Sequence, residues 1–353
     1  MSPASDTSAM SGAPKGPERK GREGRRALIT GVTGQTGSYL AEALLARGSV
    51  VVGLVREVES ARSRLTGLST ELSGALDDGR LTLVQGDLLS EATLAQALEQ
   101  AAPDEVYNLA AQSNVAASWK DPVGTADITG LGALRLFQAV RDRCPEARVL
   151  QASTAAMFGR STASPQSERT PFAPKSPYGV AKLFAHWAAV DQREGHGLHA
   201  SCAILFNHES PRRGPDFVTR KITRAAARIR LGKDRELALG DLTPRRDWGH
   251  ARDTVRALIA MLEQDAPGDF VIATGQPHTV EDFCACAFEA VDLDWREFVR
   301  RDERFVRPAE LELLVGDASK AERELGWRPQ VSFEELVREM VEADLARERA
   351  EAG

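Results

Sequence analysis

The sequence is short of the features that would place it outside a reducing cell interior or on a nucleic acid. It has four cysteines among 353 residues: Cys144, Cys202, Cys284 and Cys286. They are too few and too irregularly placed for a disulfide framework. Cys284 and Cys286 form a CxC pair with no second pair at zinc-ligand spacing, so no metal site is expected. No apolar run approaches the ~18 residues of a membrane span. The N-terminal region lacks the apolar stretch of a secretory signal. Basic residues are not in excess: Lys+Arg number 45 against 51 Asp+Glu, a net charge of −6. That balance argues against a general nucleic-acid partner. A cytoplasmic protein, off membranes and off nucleic acid, is the expectation.

What is present is ordinary globular material, 42% hydrophobic and 27% charged, long enough for about two domains at roughly 150 residues each. Residues 1–26 are Ser, Pro, Gly, Lys and Arg with almost no apolar content, and read as a disordered extension. From Ala27 the pattern alternates. ALIT is a strand and SYLAEALLARG a helix with Leu40, Leu44 and Leu45 on one face. SVVVGLV is a strand buried on both sides. LTLVQGD, DEVYNLAA, RVLQAST and LHASCAILFN continue as strands with helical segments between them. This alternation specifies an α/β fold: a Rossmann-type doubly wound parallel sheet. Residues 27–207 form the expected dinucleotide-binding domain. Residues 208–349, with helices near 218–231, 280–290 and 333–348, form mainly a smaller C-terminal substrate lobe, partly interleaved with the first.

Gly31, Gly34 and Gly37 space a GxxGxxG between the first strand and helix, with Gln35 and Thr36 inside the loop. The first glycine allows a tight turn, the second lets backbone approach a pyrophosphate, and the third lets helix pack on strand. The helix N-terminus then faces the phosphates. The second strand ends at Val55-Arg56-Glu57. Arg56 suits a ribose 2′-phosphate, so NADP is expected, with NAD possible because Glu57 adjoins it. Asp87 and Leu88 follow the third strand and fall near the adenine. Leu109, Ala110 and Ala111 offer small side chains where a cofactor lies against the sheet.

Tyr178 and Lys182 form YxxxK, which puts both on one helix face. An unperturbed phenol titrates near 10. A neighbouring ammonium, with the positive nicotinamide, would lower that value and let Tyr178 take a hydroxyl proton while hydride leaves the same carbon. Thr154 ends an earlier strand and offers a hydroxyl to the same oxygen.

With these motifs in hand, the chain resembles the GDP-mannose 4,6-dehydratase family of extended short-chain dehydrogenase/reductases. The resemblance rests on ITGVTGQTGSYLAEALL, VYNLAAQSNV, SPYGVAKLFAHW, ILFNHESPRRG, RRDWGHARD and LGWRP, and runs from about residue 27 to 330. It implies a GDP-sugar over the carboxyl ends of the strands, with Asn207, Val218, Lys221, Arg246, Arg307 and Glu310 lining its site. It also implies that Arg212 and Arg213 contact cofactor phosphate, and that the protein is a homodimer or homotetramer. One departure stands out. After Thr154 the family continues Ser-Glu, whereas this chain has Ala155-Ala156. The carboxylate the family uses at C5 and C6 is missing, and the oxidising half of the site is intact. The first expectation is therefore an NADP-dependent 4-epimerase of a GDP-hexose or GDP-heptose. The alternatives are a 4,6-dehydratase with a substituted acid/base and a silent GDP-sugar-binding subunit.

Overall fold

The computed structural model describes residues 24–305 and 313–351. Six strands alternate with helices through the first part of the chain: β1 (Arg26–Thr30), β2 (Val50–Val55), β3 (Leu81–Gln85), β4 (Glu105–Asn108), β5 (Arg148–Thr154) and β6 (Ala200–Leu205). After them come β7 (Asn207–Glu209), β8 (Leu237–Leu239), β9 (Arg245–His250) and β10 (Asp269–Ile272). The first six and β10 form one parallel seven-stranded sheet in the order β10-β6-β5-β4-β1-β2-β3. Ile29 of β1 is paired with Gly53 on one side and Tyr107 on the other. The strand order reverses between β1 and β4, which opens a crevice at their carboxyl ends.

Alternate side chains of each strand enter different cores. Ala27 and Ile29 pack with α1 (Gln35–Ala46), α2 (Val58–Thr66), α3 (Thr70–Asp77) and later helix α10 (Ala251–Glu263). Leu28 packs on the opposite face with α4 (Glu91–Ala101), α7 (Gly132–Arg143) and α8 (Pro177–His196). Short helices α5 (Val115–Lys120) and α6 (Pro122–Ala126) and a π-helical turn at Asp127–Leu131 lead into α7. The start of α8 is fixed by its sequence: Ser176 caps the Gly179 amide and Pro177 occupies the first turn, where its missing N–H and preset φ cost nothing.

The second layer is built on α9 (Val218–Arg230), α11 (Val280–Glu289) and α14 (Phe333–Ala350), around Ile222, Phe283, Phe288, Leu336 and Met340. Here β9 pairs in parallel with β7 and with β13 (Leu313–Leu314), and antiparallel with β11 (Pro277–Thr279). A separate ribbon joins β8 to β12 (Val299–Arg301). The remaining helices are α12 (Trp295–Phe298) and α13 (Ser319–Leu325). Arg220 locks α14 to α9 through three bonds to the buried Asp344, from Nε at 2.9 and 2.8 Å and from Nη2 at 2.5 Å.

One expectation needs correction. Order does not wait for Ala27: Arg26 opens β1, and Arg25 pairs with the Glu105 carboxylate at 2.7 Å. These arginines read as tail because their partners lie far along the chain. Residues after 208 contribute to both layers. Helix α10 packs on the first face of the large sheet, and β10 forms its edge beside β6, with Asp269 opposite Cys202. The remainder of residues 1–26 lies outside the described residues. Among the described residues no helix is long and apolar enough to cross a membrane.

Candidate active site

A cavity of about 2070 Å³ runs over the carboxyl ends of the strands. Single-ligand pockets are typically ~300–1,000 Å³, so this space suits two ligands side by side. One end is the glycine loop. Gly31 has φ +72°, and a Cβ there would sit 3.0 Å from the Ala110 amide nitrogen. At Gly37 a Cβ would lie 2.2 Å from the Gly31 carbonyl oxygen. The Gly34 cap of α1 makes no side-chain hydrogen bond, so the first-turn amides are left for an anionic ligand. Thr30 Oγ1 accepts from the Leu109 and Ala110 amides at 3.1 and 3.0 Å, which holds that strand end against the loop. Ala111, Asp87 and Leu88 complete this wall.

The Gln35 side chain, expected as a ligand contact, is committed elsewhere. Its amide donates to the His208 carbonyl at 2.9 Å and accepts from Ser210 Oγ at 2.7 Å. Thr36 bonds His208 Nε2 at 2.8 Å. His208 was overlooked at the motif level because only its fold partner reveals it. Arg212 turns away from the cavity to Glu42 at 2.6 Å and stacks over Tyr39 at 4.0 Å. Arg213 stays in the cavity, lies over Phe217 at 3.5 Å and pairs with Glu209 at 3.0 Å. At the adenosine end Glu57 caps α2 by accepting from the Glu59 and Ser60 amides at 2.9 and 2.6 Å. Its charge is thereby used, and Arg56, Ser60 and Arg64 line the same end of the cavity.

Thr154, Tyr178 and Lys182 meet at the end of β5. The Tyr178 hydroxyl hydrogen-bonds Thr154, whose Oγ1 also accepts from the Ala156 amide at 3.2 Å. Lys182 is 4% exposed and donates to the Ala152 carbonyl at 2.7 Å. Burial pushes the Lys182 ammonium down to about 8. In the protein alone the Tyr178 phenol lies above its ordinary value. Burial raises it, and the hydrogen bond from Thr154 and the charge of Arg213 pull only partly back. In the protein alone the charge of Arg213 lowers the phenol, against the larger effect of burial. Beneath the site Ser153 Oγ and His186 Nδ1 are 3.0 Å apart.

On the far side, Asn207, Val218, Lys221 and Arg246 line the cavity. Lys221 donates to the Ala238 carbonyl at 2.6 Å and sits over the Phe305 ring at 3.9 Å. Arg307 and Glu310 lie outside the described residues. Among the described residues five carboxylates reach the cavity: Glu57, Asp87, Glu209, Asp216 and Asp241. None comes from the stretch between β5 and α8. In that stretch Ala155 and Ala156 form the wall, and Glu168 accepts from the Val271 amide of β10 at 2.8 Å, away from the cavity. Among the described residues no group of three His, Cys, Asp or Glu side chains is arranged to hold a metal.

A doubly wound sheet with a glycine loop at the reversal and a Tyr-Lys pair on α8 defines a nucleotide-sugar enzyme of the short-chain dehydrogenase/reductase type. Solved neighbours agree. The dTDP-glucose 4,6-dehydratase DesIV of Streptomyces venezuelae matches with TM-score 0.79 and 26% identity, over 93% of this chain and 98% of that one. The UDP-glucose 4-epimerase of Thermotoga maritima matches with TM-score 0.77 and 25% identity, over 92% and 99%. The model of the family described as GDP-mannose 4,6 dehydratase matches residues 28–340, and the chain belongs to that family. It is 48% identical to GDP-mannose 4,6 dehydratase 2 of Arabidopsis thaliana, covering 88% of this chain and 84% of the relative. It is 45% identical to GDP-mannose 4,6-dehydratase of Sinorhizobium fredii, over 88% and 93%.

Proposed function

We propose that this chain acts on a GDP-sugar by reversible oxidation at C4 and carries out the 4,6-dehydration for which its relatives are named. The observation that carries this reading is the meeting of Thr154, Tyr178 and Lys182 at the end of β5, in a chain 43–48% identical to proteins named for that reaction. The first expectation, 4-epimerisation, gives way to it. Its support is the alanine at 156, and solved neighbours named epimerases share 25–28% identity, well below the 43–48% of the relatives named dehydratases. A silent binding subunit would have no use for the Tyr178–Thr154 contact.

In this reading Tyr178 takes the proton of the C4 hydroxyl, and Thr154 holds the same oxygen. Lys182, fixed by Ala152, keeps a positive charge next to that proton path. Arg213, Lys221 and Arg246 supply positive charge for the sugar-nucleotide pyrophosphate and the cofactor phosphates. NADP fits the other end: Gly31 and Gly37 leave no room for side chains under it, and the Arg56–Arg64 end suits a 2′-phosphate once Glu57 is spent on its helix cap. When bound, NADP accepts hydride from the sugar and returns it. Incubation with GDP-mannose and NADP tests the reading: a product lighter by one water is expected, and a product of unchanged mass refutes dehydration.

We also infer a homodimer. Six of the nine exposed large apolar side chains among the described residues lie together: Trp119, Val123, Leu131, Val180, Phe184 and Trp187. Trp187 is 54% exposed and Val123 78%. They cover the outer face of α8 and the adjoining α5, α6 and π-helical turn. A patch of this kind favours a second copy. Four free cysteines support a reducing, cytoplasmic setting.

A further inference from the structure

Loss of water across C5 and C6 needs a group that removes the C5 proton and one that protonates the departing C6 hydroxyl. A single carboxylate can do both, and the wall at the end of β5 has none. Among the described residues every carboxylate in the cavity comes from elsewhere, and four of the five already have partners. Glu57 caps α2, and Asp87 accepts from the Leu89 amide at 3.0 Å. Glu209 is held by Thr219 at 2.7 Å and by Arg213, and Asp241 accepts from Thr243. Asp216 stands just before α9, on the far side.

The loop entering α8 supplies a different group. Gly179 packs so closely that a Cβ there would lie 2.8 Å from the Ala156 carbonyl oxygen, 3.1 Å from Pro174 Cβ and 3.4 Å from Ser176 Oγ. Pro174 and Ser176 are therefore seated around Ala156. Lys175, between them, lines the same cavity and has no carboxylate partner among the described residues. The small side chains of Ala155 and Ala156 leave the adjacent space open.

The geometry points to Lys175 as the acid/base that replaces the missing carboxylate at position 156. This rests on the C4-oxidation reading above, since only a C4 ketone makes the C5 proton removable. The Lys175 amine takes the C5 proton. The electrons of that C–H bond form the C5–C6 double bond as the C6–O bond breaks. The departing hydroxide takes the proton from the Lys175 ammonium and leaves as water. The step is neutral in redox terms. The hydride removed from C4, held on NADP when bound over the glycine loop, would then be available to C6, and a proton would return to C5.

The test uses the full chain with NADP and GDP-mannose in deuterated water. Reduction of the nicotinamide in a single turnover reads C4 oxidation, and mass spectrometry reads deuterium at C5 and loss of water. The wild-type protein is expected to show all three. Lys175→Met should lower C5 deuterium incorporation, relative to C4 hydride transfer in the same samples, by about a hundredfold, as for other positioned acid/base groups. Lys175→Arg keeps the charge and the stem but cannot release a proton, and should show the same loss. Adding Ala156→Glu to Lys175→Met should restore exchange. Wild-type nicotinamide reduction without deuterium at C5 overturns the Lys175 assignment alone. So does a ratio unchanged in both lysine variants. Absence of nicotinamide reduction in the wild-type protein overturns the C4-oxidation reading and this assignment with it.

Discussion

The side chain of Thr36 lies 2.8 Å from Nε2 of His208, and this bond joins the phosphate loop to the first strand of the second layer. The Phe206 carbonyl can only accept, so Nδ1, 3.0 Å from it, carries the imidazole proton. Nε2 is then bare and accepts from the Thr36 hydroxyl. Burial, reinforced by Arg213, holds His208 down at about 4. Its ordinary value is near 6.5. Between those two values the unfolded chain binds a proton that the folded chain refuses. The stability from neutral His208 is therefore complete above about pH 6.5 and is lost as pH falls toward 4. It amounts to roughly 3 kcal/mol at most. Urea unfolding at stepped pH should show this slope in the wild-type protein and a flatter one in His208→Gln. Identical slopes would contradict the tautomer and its burial.

Tyr178→Phe removes one hydroxyl and keeps the ring. C4 hydride transfer should fall by roughly 10²–10⁴, the usual contribution of a positioned acid/base. Affinity for GDP-mannose should stay within about threefold. Stopped-flow nicotinamide absorbance and calorimetry measure the two. Undiminished hydride transfer would take Tyr178 out of the mechanism.

Arg56→Ala should weaken NADP by about tenfold or more while leaving NAD nearly unchanged, because a charge-assisted contact to phosphate contributes about 1.5–3 kcal/mol. Cofactor titrations followed by intrinsic fluorescence decide it. Equal losses for both cofactors would place Arg56 away from the 2′-phosphate.

Phe184→Asp together with Trp187→Asp puts two charges on the apolar face of α8. Analytical ultracentrifugation should find a monomer where the wild-type protein is a dimer. A double variant that sediments like the wild-type protein would move the interface elsewhere.

Gly37→Ala must push a methyl toward a backbone oxygen 2.2 Å away. Neither side is a flexible tip, so the loop has to shift. Overpacking of this kind costs about 1–3 kcal/mol. Calorimetry should show a lower unfolding temperature and NADP affinity reduced by about tenfold or more. An alanine variant with unchanged NADP binding would mean that the loop does not hold the pyrophosphate.

The features legible from the sequence were the local ones. The glycine spacing, the i, i+4 pair at Tyr178 and Lys182, and the strand end at Thr154 each occupy a few residues, and periodicity places them. Arg212 was misread because its partner Glu42 lies 170 residues earlier. His208 was missed for the same reason, its partner being 172 residues away. The short apolar run of β10 carries no mark of which sheet it joins, since only pairing with β6 decides that. Glu57 is a different case. Its role as helix cap is a local signal, and attention to the ribose obscured it. Motif spacing does not report burial either, which in the protein alone raises the Tyr178 phenol against the pull of Arg213.

The return of β10 to the large sheet has a consequence for how such proteins diversify. A break after residue 207 would strip β6 of its outer neighbour and bare a row of unpaired backbone groups. It would also remove α10 from the core that α1 shares with it. The sugar-recognising layer is therefore not a detachable cassette. Exchange of that layer between relatives has to carry residues 251–272 along with the sheet they complete, so selection acts on the two layers as one inherited unit.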